Sequence, residues 1–188
     1  MTSLKQNHYQ PYTVYHNKDI FATTSELVRM DQMGSSIVVP HVCNNIDLFG
    51  AGFAEAVANR YPEVKANYHL LGQSFLRNNL GHVQFIEVMH NKKYGHKLVF
   101  ANMIAQNGVR NKSNFRPLNY IALAKSMHSV AIYIKGMAAS NKDYASKWTI
   151  HCPKFGSGLA GGNWNFISDM IADAWRDTPV YVYQHQNK

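Results

Sequence analysis

Apolar positions along this chain change their spacing several times, and each change marks an element. Ser36 to Cys43 is a nearly unbroken apolar run, which predicts a buried strand. After a polar stretch and Gly50-Ala51-Gly52, apolar residues return at 53, 54, 57, 58 and 61 and trace one helical face. Pro62 ends that helix, because a residue before proline is pushed out of the α region. Val83–Met89 and Leu98–Ile104 read as two strands of a hairpin, with the basic run Asn91–Lys97 as its solvated tip. Pro117 suits a first helical turn. Leu118, Ile121, Ala124, Met127 and Ala131 follow at helical spacing along one side, in a helix reaching Ala139 unless Gly136 ends it. Lys147–Cys152 is a strand, and Phe166, Ile167, Met170, Ile171, Ala174 and Trp175 form an apolar helix-like run. Pro179–Tyr183 closes as a strand. At the front, Tyr12–His16 alternates as a strand and Thr24-Ser25-Glu26-Leu27 opens a short helix or turn.

Strands alternating with helices argue for an α/β sheet covered on both faces, and the hairpin makes the sheet mixed. Two strand–glycine loop–helix units stand out. One runs through Asn44–Gly52, the other through Phe155–Trp164, with four glycines in its ten residues. Glycine lets backbone approach a ligand closely, and the free N–H groups of a following helix favour an anion. Loops at the carboxyl ends of parallel strands converge on one crevice, so two of them can hold two linked phosphates. A glycine-rich turn without a ligand is the plain alternative.

Composition narrows the class. The chain has 188 residues, 46% hydrophobic and 16% charged, which suits one compact domain over 1–188 and excludes a disordered chain. No apolar run approaches a membrane span, and Met1–His8 lacks the apolar core of a signal peptide. Cys43 and Cys152 fall inside strands as buried thiols without metal-site spacing. A soluble cytoplasmic protein, monomeric and free of metal, cofactor and membrane, is the expectation. The net charge of +8, with ten histidines besides, suits an anionic partner, either nucleic acid or a small diphosphate. The basic residues are scattered, and no arginine-rich helix supports the first choice. Gln106–Arg116 is polar and long enough for a functional loop.

Three segments together resemble the macro domain, an ADP-ribose-binding module. They are Lys18-Asp19-Ile20-Phe21, His41-Val42-Cys43-Asn44 with Gly50-Ala51-Gly52-Phe53-Ala54 and Arg60-Tyr61-Pro62, and Gly156–Trp164. The resemblance covers about Tyr12 to Tyr183 and implies a three-layer α/β/α fold with a central mixed sheet. Lys18 departs from it, since the family usually has glycine there. The resemblance implies that Asp19, next to Ile20, accepts from the adenine amino group and that Asn44 holds the distal ribose. It also implies phosphate-loop contacts from Gly50, Ala51 and Gly52, and from Ser157, Gly158, Leu159, Ala160, Gly161 and Gly162, with Phe53 beside the ligand's sugar or base. A helix cap for Asp19 and an Asx turn for Asn44 are the structural alternatives. Phe53 and Trp164 pack against either ligand or core, and Asp47 reads as a solvated surface acid.

The resemblance also bears on chemistry. One hydrolase branch of the family uses a lysine and an aspartate. The corresponding segments here, Met103–Gly108 and Gly158–Gly161, contain neither. The fungal-type ADP-ribose 1″-phosphate phosphatases have a His-x-Cys-Asn run, matched by His41–Asn44. That implies His41 as general acid–base in releasing phosphate from ADP-ribose 1″-phosphate. A packed structural histidine is the alternative for His41. A non-catalytic reader of ADP-ribose or of ADP-ribosylated macromolecules, or an ADP-ribosyl hydrolase without the Lys/Asp pair, is the alternative for the protein.

Overall fold

The structure, a computed structural model, describes residues 12–31, 33–140 and 147–184. The signal-peptide reading of Met1–His8 lies outside them. The elements in order are β1 (Thr13–His16), α1 (Ile20–Arg29), β2 (Ser36–Asn44), α2 (Phe53–Arg60), α3 (Pro62–Leu70) and α4 (Gln73–Asn78). Then come β3 (Val83–Asn91), β4 (His96–Gln106), α5 (Tyr120–Ser140), β5 (Trp148–Pro153), α6 (Trp164–Ala174) and β6 (Val180–Gln184). The six strands form one sheet in the order β1-β6-β5-β2-β4-β3. Only the β3–β4 hairpin pairs antiparallel, so the sheet is mixed as the sequence predicts.

Period-2 alternation along the central strands builds two cores. On β2, Ile37, Val39 and Cys43 face one layer while Val38 faces the other. On β4, Leu98, Phe100 and Ile104 join the first group; Val99, Ala101, Met103 and Ala105 join the second. The first core is covered by α1 to α4 through Val28, Val57, Val64, Tyr68 and Leu76. The second is covered by α5 and α6 through Leu123, Met127, Val130, Ile167 and Ile171. Ile37, Val38 and Val39 are fully buried, each worth about 1.5–3 kcal/mol of transfer free energy.

Two sequence expectations need correction, and a third, at Pro62, holds but is incomplete. The segment at Thr24–Leu27 is the middle of a ten-residue helix, α1, which Asp19 caps through its carboxylate. Pro62 does end α2, but it also occupies the first turn of α3, which has the single cap residue Tyr61 in common with α2. The long helix buries Ala122, Leu123, Ser126, Met127, Val130 and Ile134, leaving Ile121 and Ala124 exposed. The cause is its start. Leu118 is not helical; its N–H donates to the Ala160 carbonyl, and Asn119 Oδ1 accepts from the Ala122 N–H. Counting the period from Leu118 therefore rotates the face. Gly136 does not end α5, because one glycine costs a helix only about 1 kcal/mol.

Candidate functional site

The carboxyl ends of the parallel strands β2, β4 and β5 open into one cavity of about 880 Å³. His41 to Asn44, Gln106 and Pro153 supply its floor from these three strands. The first glycine loop and the start of α2 wall one side, and Lys154, Phe155, Gly156, Gly158, Leu159 and Ala160 wall the other. Lys65 and His69 from α3, and Val109 and Arg110 from the loop after β4, complete it. This is where ligands sit in open α/β sheets.

The first loop is built around Asn44. The strand register shifts between Cys43 and Asn44, which turns the asparagine out of the alternation. Its Oδ1 accepts from the N–H of Ile46 at 3.0 Å and of Leu48 at 3.2 Å, and its Nδ2 donates to the Leu48 carbonyl. Tyr68 Oη, 2.8 Å from the Asn44 carbonyl, anchors the turn to α3. Asn44 lines the cavity, but in this structure its amide closes an Asx turn. The loop then runs to Gly52, the N-cap of α2, at φ +60°. Among the described residues no side chain caps α2, so the first-turn N–H groups and the positive end of its dipole are open beside Phe53 and Ala54 in the cavity wall. Asn45 ties the loop sideways. Its Nδ2 donates to Asn107 Oδ1 at 3.1 Å, and its Oδ1 accepts from the Gly108 N–H at 2.8 Å.

The second loop divides its work differently from the sequence expectation. Gly158, Leu159 and Ala160 line the cavity; Ser157, Gly161 and Gly162 do not. The Ser157 hydroxyl donates to the Lys154 carbonyl at 3.0 Å. Gly161 has φ +71°, and a Cβ there would meet the Phe115 carbonyl at 2.6 Å. A Cβ on Gly162 would collide with the Leu118 side chain and the Gly156 carbonyl. These two glycines let the loop lie against residues 115–118. The N-terminus of α6, expected to be open for an anion, is capped by Asn163 Oδ1 accepting from the Asn165 N–H at 2.9 Å. The free helix terminus at the cavity belongs to α2.

His41 is buried in the cavity floor. Phe49 and Phe53 lie edge-on with ring centroids 5.7 Å away, and Cys43 Sγ is 3.8 Å from Nδ1. Burial pushes its pKa down to about 4, against a smaller upward pull from the Asn102 amide, its register partner on β4. Its Nε2 and Asn102 Oδ1 nonetheless find no hydrogen-bond partner among the described residues. Burial thus holds the ring in its neutral form, which can accept a proton but is not the imidazolium that a general acid needs. Burial also pushes the Cys43 thiol far up, so it carries no thiolate chemistry.

Asp19 and Ile20 do not line the cavity. Asp19 Oδ1 accepts from the N–H of Phe21 at 2.7 Å and of Ala22 at 3.2 Å, the cap alternative, and Ile20 belongs to the core. Trp164 packs edge-on to Tyr12 and Phe155, and its Nε1 donates to the Tyr12 hydroxyl at 3.0 Å. Two site features escaped the sequence. Asn45 is one. The other is Asp47, not a solvated acid but paired through Oδ1 with His69 Nδ1 at 2.7 Å. Lys65 and His69 are one helical turn apart, a signal that becomes visible only once α3 is recognised as a helix.

No protein-family model and no curated protein matches the chain. Solved structures do. A Bacteroides thetaiotaomicron protein of unknown function aligns at 26% identity with a TM-score of 0.70, over 93% of this chain and 99% of its own. A macrodomain protein from Streptomyces coelicolor aligns at 27% identity and TM-score 0.61, covering 92% and 99%. Thermosipho africanus DarTG, solved in complex with ADP-ribose, aligns at 13% identity and TM-score 0.61, covering 93% of this chain and 42% of that one. The mixed six-stranded sheet and its two helical layers agree with these structures: the chain folds as a macro domain.

Proposed function

We propose that this chain binds ADP-ribose in the cavity and releases phosphate from ADP-ribose 1″-phosphate. The observation that carries the binding reading is the pairing of two loops over one strand-end cavity, with the uncapped terminus of α2 opening into it. Such a terminus suits a phosphate. A volume of about 880 Å³ lies within the range of cofactor pockets, and mostly apolar walls leave room for base and sugars. DarTG, which shares this fold over part of its length, was solved in complex with ADP-ribose. Lys65, Arg110 and Lys154 stand at the wall and add positive charge for a diphosphate.

The phosphatase reading rests on the likeness of the His41–Asn44 run to the fungal-type phosphatases. It also rests on the lack of the Lys/Asp pair that another branch uses. A non-catalytic reader is the second reading, favoured by the enclosure of His41 between Phe49 and Phe53.

Three measurements test this. Calorimetry with ADP-ribose and AMP should give the tighter binding to ADP-ribose, since AMP lacks the second phosphate and the distal ribose. Equal affinities would refute the binding reading. Incubation with ADP-ribose 1″-phosphate should release inorganic phosphate; tight ADP-ribose binding without release would favour the reader. Binding that falls steeply with salt would point instead to a nucleic acid.

A further inference from the structure

We propose that His69, oriented by Asp47, is the proton-transfer group of this cavity. The inference rests on the hydrolytic reading above and names the residue that does its chemistry. Both side chains line the cavity, His69 from α3 and Asp47 from the first glycine loop. The ring nitrogen Nδ1 lies 2.7 Å from Asp47 Oδ1. An ionised carboxylate there only accepts, so Nδ1 carries the hydrogen and Nε2 keeps its lone pair. This is the role an aspartate plays in a catalytic triad.

The loop is shaped to hold that acid. Asp47 sits at φ +64°, one of two non-glycine residues with positive φ among those described. Asn44 Oδ1 grips the N–H groups on either side of it, at Ile46 and Leu48. Strained positions of this kind persist only where the surroundings over-determine them. His69 is also the histidine of this cavity in contact with water, its side chain 38% exposed, whereas His41 is enclosed by aromatic rings. Tyr68 lies edge-on to the His69 ring at 5.4 Å, and Lys65 projects into the cavity one turn earlier on α3.

The step balances as follows. His69 Nε2 takes a proton from a water molecule while the water oxygen bonds to phosphorus. The bond from phosphorus to the 1″-oxygen breaks with its electron pair on that oxygen, which takes a proton from solvent. The imidazolium returns its proton to solvent. ADP-ribose and inorganic phosphate are the products.

The test uses the intact chain with His69→Gln, His69→Ala and Asp47→Asn. Phosphate release from ADP-ribose 1″-phosphate, calorimetric affinity for ADP-ribose and thermal unfolding are read for each. Both His69 variants should lose about 10²–10³-fold in kcat, with KM and ADP-ribose affinity within about threefold of wild type. Added imidazole should restore part of the turnover of His69→Ala, which a tether between helix and loop would not do. Asp47→Asn should lose kcat by a smaller factor. Turnover of His69→Gln within threefold of wild type would overturn the proposal, as would a loss of kcat matched by an equal loss of ADP-ribose affinity. A wild type that binds ADP-ribose and releases no phosphate would overturn the pair's role and leave the binding reading standing. A wild type that does not bind ADP-ribose would overturn the binding reading itself.

Discussion

Leu159 of the second glycine loop reaches across to Gly52 of the first: its Cδ1 lies 3.3 Å from the point where a Cβ on Gly52 would stand. The two loops thus approach each other over the cavity, and Gly52 holds a left-handed φ of +60° where they do. Gly52→Ala should destabilise the protein by about 1–2 kcal/mol, from the dihedral. Adding Leu159→Ala should recover little of that, since a flexible side-chain tip can shift by tenths of an ångström. Denaturant unfolding of the single and double variants checks this.

The glycines of the second loop should separate into two groups. Gly158 has open space around its Cβ position and lines the cavity. Gly158→Val should fold with a stability change of about 0.5 kcal/mol or less and bind ADP-ribose more weakly. Gly162→Ala meets Leu118 and the Gly156 carbonyl, and Gly161→Val meets the Phe115 carbonyl. Both should lose stability, by about 1–3 kcal/mol, together with affinity. Melting curves and calorimetry on the same samples distinguish the groups.

Asn45→Ala should loosen the loop after β4. It removes the bonds to Asn107 and Gly108 that hold Val109 and Arg110 in the cavity wall. A loss of about 1–3 kcal/mol in stability is expected, with weaker ADP-ribose binding and faster amide exchange at 107–110.

Acid should destabilise the fold through buried histidines. Burial pushes His41 down to about 4 and His151 down to about 3, both from an ordinary value of 6.5. Between those values and 6.5 the unfolded chain binds more protons than the folded one, so stability rises with pH there. It is fully present above about pH 6.5 and lost as pH falls from 6.5 toward 4 and below. The effect is on the order of 3 kcal/mol per histidine at its limit. His41→Phe should flatten part of this dependence, measured as urea midpoints from pH 7 to pH 4.5.

Much of this fold was legible because β2, β4 and β5 carry long apolar runs bounded by polar loops. The hairpin turn, the two glycine loops and the end of α2 at Pro62 were equally plain. What stayed hidden had weak local signals. In α3 the buried residues are only Val64 and Tyr68, and α4 is a six-residue helix burying Leu76 alone. The face of α5 was misread because Leu118 is apolar for a different reason, packing under the second loop at Gly156 and Gly162. In the site, the motif located His41 and Asn44 but not what surrounds them. The partners of Asn45 and Asp47 lie 62 and 22 residues away in sequence, and no spacing rule connects them.

Thr13 pairs with Tyr181, so the two ends of the described chain meet at one edge of the sheet, and β2 waits for β5 to become its neighbour. During synthesis the first glycine loop therefore emerges long before the strand that carries its counterpart. Pairings this distant in sequence slow folding, because loop-closure entropy is lost before any contact repays it. A nascent chain that stopped short of Trp148 would present the half-built crevice of β2 and β4 with an unpaired central strand edge. Such an edge invites association with other chains, which makes this stage the point where a chaperone would matter most.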